Sequence, residues 1–193
     1  MDWERIDMNI VLGGSRHVEK IPNEVLELIS DYVGKNYNFL IGDAPGSDSA
    51  FQYFFAKEKY QKVRIFSSAG YIRNNLGNWN WELIDSGLKS KSNAVHAFKD
   101  RHMCKLSNFG IMIWDCQSAG TLSNVIDLVR QGKNCFVWVA PDSDLYQFDN
   151  IKSLEKWMDD YQNVRDESFR RLEKFEKREV KRRKSNSQPD LFS

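Results

Sequence analysis

An α/β fold, an open parallel sheet of about five strands with helices on both faces, is predicted by two features of the sequence. Short apolar runs stop in glycine-bearing turns, and segments with apolar residues at helical spacing stand between those runs. A third observation sets the scale. The 193 residues, 41% hydrophobic and 28% charged, suffice for one buried core plus an extension.

The elements follow in chain order. Met8 to Leu12 form the first strand, stopped by Gly13-Gly14. Pro22 opens a helix in which Val25, Leu28, Ile29, Tyr32 and Val33 recur on one face, and Gly34 closes it. Asn38 to Ile41 read as the second strand, ending in Gly42, and Ser47 or Asp48 caps a helix that runs to Lys59. Val63 to Phe66 is the third strand. From Ser67 to Asn93 the glycines, asparagines and serines predict an irregular excursion holding one short helix over Trp81 to Ser86. Regularity returns with a helix over Ala94 to Leu106, a strand over Gly110 to Trp114, a helix over Gly120 to Gln131 and a strand over Cys135 to Val139. This alternation predicts right-handed crossovers and a Rossmann-like architecture.

Pro141 marks a change of character, so residues 1–141 are expected to form the body and 142–184 a charged helical extension. Ile151 to Tyr161 read as one short helix. Asn163 to Lys184 read as a second, with Phe169, Leu172, Phe175 and Val180 as an apolar stripe suited to docking on the body. Nothing in residues 185–193 offers an anchor, and a flexible tail is expected there.

Composition removes several classes of function. The formal net charge of +1 conceals a basic run, Lys177, Arg178, Lys181, Arg182, Arg183 and Lys184, in which Glu179 is the single acid. Cys104, Cys116 and Cys135 lack metal or redox spacing and read as reduced core thiols, which points to the cytoplasm. No apolar run approaches the roughly 18 residues of a membrane span, and residues 1–10 lack the basic and apolar regions of a secretion signal, so neither membrane spanning nor secretion is expected. His17, His96 and His102 form no metal-ligand pattern, so no metal site is expected.

In an open parallel sheet, ligands sit beyond the carboxyl ends of the strands, where helix N-termini present unpaired N–H groups and a positive dipole end. Four segments qualify. They are Gly13-Gly14-Ser15-Arg16, the stretch Gly42-Asp43-Ala44-Pro45-Gly46-Ser47-Asp48, the excursion with Arg73, and Ser118-Ala119-Gly120-Thr121. Backbone without Cβ lets an anion approach the amides, and Arg16, Arg73 and Lys99 add positive charge. Ser118 and Thr121 offer hydroxyl donors, although Ser118 also suits a helix cap. Asp43, Asp48 and Asp115 are placed to accept from ribose hydroxyls or to hold a loop. Trp79 and Trp81, set among Asn and Gly, are candidates for stacking on a base.

Taken together, Gly13-Gly14-Ser15-Arg16, Gly42-Asp43-Ala44-x-Gly46-x-Asp48, Lys99-Asp100-x-x-Met103, Gly120-Thr121 and Gly132-Lys133 resemble the SLOG superfamily, named for the SMF/DprA and Lonely Guy proteins. The resemblance covers residues 8–140. It implies a Rossmann-like domain that binds a nucleotide or phosphorylated ribose derivative. The hydrolytic members split the N-glycosidic bond of nucleoside monophosphates and carry GGxGTxxE; here Asn124 stands at the glutamate, and Lys99-Asp100 replaces the Arg-Lys pair. An amide does not exchange a proton as a carboxylate does, so binding is favoured over turnover. Should turnover occur, Asp43 and Lys99 are the expected acid/base and anion-stabilising groups.

The C-terminal Gln188-Pro189-Asp190-Leu191-Phe192 is similar to the pentapeptide with which bacterial replication and repair proteins bind the sliding clamp. That resemblance implies a tethered protein, with Gln188, Leu191 and Phe192 as the contacts, and the basic run from Lys177 to Lys184 near DNA phosphates. Three expectations therefore stand: a nucleotide-binding module that acts as a ligand sensor, a hydrolase acting on a nucleotide derivative, and a clamp-tethered, DNA-associated protein. A homodimer is compatible with each.

Overall fold

The apolar runs do end where the glycines stop them, and they assemble edge to edge. A computed structural model describes residues 8–68, 70–86 and 93–186. Its strands are β1 (Asn9–Gly14), β2 (Asn38–Gly42), β3 (Val63–Ser67), β4 (Asn80–Leu83), β5 (Phe109–Trp114), β6 (Cys135–Val139) and β7 (Asp144–Phe148). Its helices are α1 (Asn23–Gly34), α2 (Ser47–Lys57), α3 (Asn93–Leu106), α4 (Ala119–Arg130), α5 (Ile151–Trp157) and α6 (Gln162–Asn186), with a 3-10 turn, Met158–Tyr161, between the last two.

One seven-stranded sheet runs β4-β3-β2-β1-β5-β6-β7. All pairs are parallel except β6 with β7. The order steps outward from β1 to β4, then restarts on the other side of β1 with β5. The crevice above β1 and β5 is therefore the switch point at which such sheets bind ligands.

Strand alternation sorts the core into two layers. Ile10, Leu12, Phe39, Ile41, Ile65, Ile111 and Ile113 face α1 and α2, packing on Val25, Ile29, Phe51 and Phe55. Val11, Leu40, Phe66, Met112 and Trp114 face the opposite way, against Met103, Leu122, Val125, Leu128, Leu154 and Leu172 of α3 to α6. Both faces being covered explains why these strands read as unbroken apolar runs.

Two expectations are corrected at the sheet edges. Residues 81–83, expected within a short helix, belong to β4, whose four residues pair with β3 from Arg64 to Ser67. The preceding Trp79 anchors that edge: its indole N–H donates to the Tyr60 carbonyl at 2.7 Å, and the Asn75 side chain brackets its amide and carbonyl. The extension also is not wholly helical. After the turn at Ala140–Ser143, β7 folds back antiparallel on β6 and extends the sheet beyond residue 141, for seven strands rather than five.

Beyond β7, an aromatic cluster of Trp114, Tyr146, Phe148, Trp157 and Tyr161, with ring centroids 5.1–5.6 Å apart for Trp114–Trp157, Trp114–Tyr161 and Trp157–Tyr161, seats the extension on β5. The stripe expected of α6 docks through Leu172 and Phe175, with Phe169 partly buried, whereas Val180 is exposed. The helix runs to Asn186, two residues past its expected end.

Candidate functional site

A cleft of about 500 Å3 opens at the switch point. Its floor is Val11 to Gly14 of β1 and Met112 of β5; its walls are α3, the start of α4 and one face of α6. Of the residues expected from the sequence, Gly13, Gly14, Arg16, Asp48, Arg73, Lys99, Asp115, Ser118, Gly120 and Thr121 line it. Ser15, Gly42, Asp43 and Gly46 do not.

Those four are used to build the rim. Ser15 is fully buried; its hydroxyl accepts from the Asp115 amide at 3.1 Å, and its carbonyl accepts from the Ser47 hydroxyl at 2.9 Å, so it joins the loops after β1, β2 and β5. Gly46 has φ +81°, and a Cβ there would drive into the backbone of Arg16, so only glycine lets the two loops touch. A Cβ on Gly42 would meet the Asp48 carboxylate and the Lys99 ammonium.

The acid/base role suggested for Asp43 meets a buried ion pair instead. Its carboxylate is fully buried and accepts from the Arg73 guanidinium at 2.5 and 3.1 Å and from the Arg73 amide at 3.1 Å. Burial pushes this carboxyl up, but those bonds and the Arg73 charge more than offset it and hold it below the usual range. Arg73 is thereby committed to Asp43. Lys99 likewise is buried and pairs with Asp100 at 2.8 Å; burial lowers its affinity for a proton, yet Asp100, Asp48 and Asp43 together raise it above the ordinary value. Asp48, next to Lys99, accepts from the Ala44 amide at 3.1 Å, and burial raises its carboxyl to about 6.

On the β5 side the arrangement is looser. Asp115 accepts from the amides of Gln117 and Ser118 at 3.0 and 2.8 Å, and His17 lies 3.5 Å away. Ser118 caps α4, its hydroxyl accepting from the Thr121 amide at 3.3 Å and from the Thr121 hydroxyl at 3.0 Å. The amides of Ala119 and Gly120 make no hydrogen bond among the described residues. They stand at the positive end of α4 and on the cleft wall.

Sequence reasoning named Lys99, Asp100 and Met103 on the α3 wall and missed much of the rest of the helical walls. His96, Lys99, Asp100 and Met103 of α3 share one face at i, i+3, i+4 and i+7, a spacing visible in the sequence. His96 hydrogen-bonds the Ser68 hydroxyl at 3.0 Å, and burial, aided by Arg73 and Arg16, lowers its pKa. Asn124, at the position where the hydrolytic SLOG proteins that the motifs resemble carry glutamate, does line the cleft, one turn beyond Thr121. Arg101, Asp127, Glu167 and Arg171 complete the walls, and no sequence signal marks the α6 pair as cleft residues. Two Arg101 nitrogens are buried without a hydrogen-bond partner, their nearest acids being Asp127 and Glu179 at 3.8 and 3.9 Å.

Trp79 and Trp81 lie away from this cleft. Trp79 is buried in the core beside α2, and Trp81 is half exposed on the edge strand β4, so neither is placed to cover a base here. Gly132 sits at φ +71° past the end of α4, and Lys133 donates to the carbonyls of Cys104 and Lys105 at the end of α3, structural tasks at the opposite, amino edge of the sheet. Lys177, Arg178 and Lys181 are exposed on α6. Gln188, Leu191 and Phe192 lie outside the described residues. No helix among the described residues is long and apolar enough to cross a membrane.

No family model matches the chain, and no curated protein matches it in sequence. Among solved structures, the chain is similar to DNA processing protein A from Helicobacter pylori, whose structure concerns its mode of single-stranded DNA binding: the TM-score is 0.51 and the identity 19%, over 68% of this chain and 65% of that one. The chain thus spans just under two thirds of the neighbour's length. That protein belongs to the SMF/DprA group, so the neighbour comes from the superfamily that the motifs resemble. At this identity the likeness shows a shared Rossmann-like fold.

Proposed function

We propose that the chain binds a phosphorylated nucleoside or ribose derivative in the switch-point cleft, with the phosphate at the start of α4. The observation that carries this reading is the charge that remains once internal partners are assigned. Asp43, Asp48, Asp100, Asp115 and Asp127 each have a hydrogen-bond or ionic partner within the fold, as do Arg73 and Lys99. Arg16 and Arg171 line the cleft with no ion pair among the described residues, as does Glu167, so two guanidiniums are left to meet an anion beside the open amides of Ala119 and Gly120. A dianionic phosphate supplies what this site lacks.

Binding is favoured over hydrolysis by the same geometry. Asp43 is held ionised by Arg73 away from the cleft, and Asn124 offers an amide where the hydrolytic SLOG proteins use a carboxylate. Calorimetric titration of the full chain with AMP, ADP, ribose 5-phosphate and adenosine tests the reading. The phosphorylated compounds are expected to bind and adenosine to bind at least about tenfold more weakly, the difference one charge-assisted contact makes. Equal affinity for AMP and adenosine, or no binding of either, overturns it.

A second reading, association with DNA, draws support from the exposed cations Arg170, Lys174, Lys177, Arg178 and Lys181 on the outer side of α6 and from the ligand of the structural neighbour. It is compatible with the first, since the cleft and that outer face are different surfaces. Tethering to a sliding clamp through Gln188, Leu191 and Phe192 remains part of this proposal.

A further inference from the structure

We infer that α6, outside the Rossmann-like body, supplies a working part of the phosphate site: Arg171 is the guanidinium that closes over the start of α4 and selects a terminal phosphate group. The inference rests on the proposed reading of the cleft and adds a residue that none of the glycine-rich turns contains.

The placement of Arg171 begins with Ser168. This serine is fully buried, and its hydroxyl, 2.8 Å from the Val164 carbonyl of its own helix, lies 3.1 Å from the carbonyl of Ala119, the first residue of α4, so that the two carbonyls share its one proton. Ser123, one turn along α4, donates to the Ala119 carbonyl at 2.7 Å and lies 3.4 Å from the Ser168 carbonyl. Three residues after Ser168, on the same face of α6, comes Arg171. Lower on the helix, Lys105 with Glu179 at 3.0 Å and Arg130 with Glu176 at 3.6 Å tie α6 to α3 and α4. The guanidinium is thus presented by a docked helix rather than by a loop.

Its target is defined by Gly120. A Cβ at that position would lie 3.4 Å from one Arg171 terminal nitrogen and 3.9 Å from the other, in ordinary van der Waals contact, which places the guanidinium beside the first turn of α4. Arg171 has no ion pair among the described residues, and Glu167, one turn before it, is not within ion-pair distance. An unpaired guanidinium and two open amides thus line the same cleft, with Arg171 beside Gly120. The planar fork of arginine matches two oxygens of one phosphate, and the two amides share the remaining free oxygen. A terminal phosphomonoester presents enough free oxygens for both sets of donors, whereas a backbone diester offers two.

The test uses full-length protein and AMP. Arg171→Ala is expected to weaken AMP binding about ten- to a hundredfold, the range for a hydrogen bond to a charged group, while adenosine binding stays as in the unaltered protein. Arg171→Lys, which keeps the charge and loses the fork, is expected to recover part of the loss. Arg171 is partly exposed, so the ligand-free melting temperature of both variants is expected to match the parent, which removes unfolding as an explanation. If Arg171→Ala binds AMP as the parent does while Arg16→Ala binds it more weakly, the inference fails and the reading of the cleft stands. If the parent itself does not distinguish AMP from adenosine, both fail together.

Discussion

The loop after β2 and the loop after β5 look alike in the sequence, each with glycine, aspartate and a hydroxyl residue ahead of a helix, but the structure uses them in opposite ways. The first, residues 42–48, is consumed internally. Asp43 grips Arg73, Asp48 holds the Ala44 amide beside the Lys99 charge, Ser47 bonds Ser15, and Gly46 lies against the Arg16 backbone. The second, residues 115–121, satisfies its cap through Ser118 and Asp115 and still leaves the amides of Ala119 and Gly120 open to the cleft. A glycine-rich turn at the carboxyl edge of a sheet is thus a place where an anion fits only when the protein's own carboxylates have not already filled it.

The largest effect expected from this contrast is on stability. Asp43→Ala leaves the Arg73 guanidinium without its partner, at a cost of about 3–5 kcal/mol for breaking a largely buried pair. Urea denaturation measures it, and a loss below about 1 kcal/mol, the value of an exposed pair, contradicts the structural role assigned to Asp43.

A smaller effect concerns pH. The Asp48 carboxyl stands at about 6 in the fold against an ordinary 3.8, so the folded state holds the proton more tightly than the unfolded chain. Its contribution to stability is therefore greatest below pH 3.8 and is lost as pH rises through about 6. The difference amounts to roughly 2–3 kcal/mol between those limits. Lowered His96 works against it, since a histidine kept neutral by burial loses stability as pH falls. Comparison with Asp48→Asn isolates the aspartate. Relative to the variant, the parent is expected to gain stability as pH falls from 7 to 4, and parallel curves would show that Asp48 is not raised.

The contrast also explains which parts were legible in the sequence. β1, β2, β3, β5 and β6 are buried on both faces, and their apolar runs announce them. β4 and β7 lie at the edges, where pairing with one neighbour decides the structure and short, mixed segments such as Asn80-Trp81-Glu82-Leu83 carry no clear period. At the site, the sequence places glycines and charges on one edge of the sheet but does not say which acid meets which cation. Asp43 and Arg73 are thirty residues apart in the chain, and only the fold of the loop after β3 brings them together. Arg171 is less legible still. Its helix shows a docking stripe in Leu172 and Phe175, and a stripe does not name the surface on which it docks.

Backbone amide NMR during titration of the full chain with AMP tests the proposed anion site at the start of α4. The amides of Ala119, Gly120 and Thr121 are predicted to show the largest shifts, with those of Asp43 to Asp48 nearly unmoved. Shifts concentrated in residues 43–48, or a titration that moves neither loop, would contradict it.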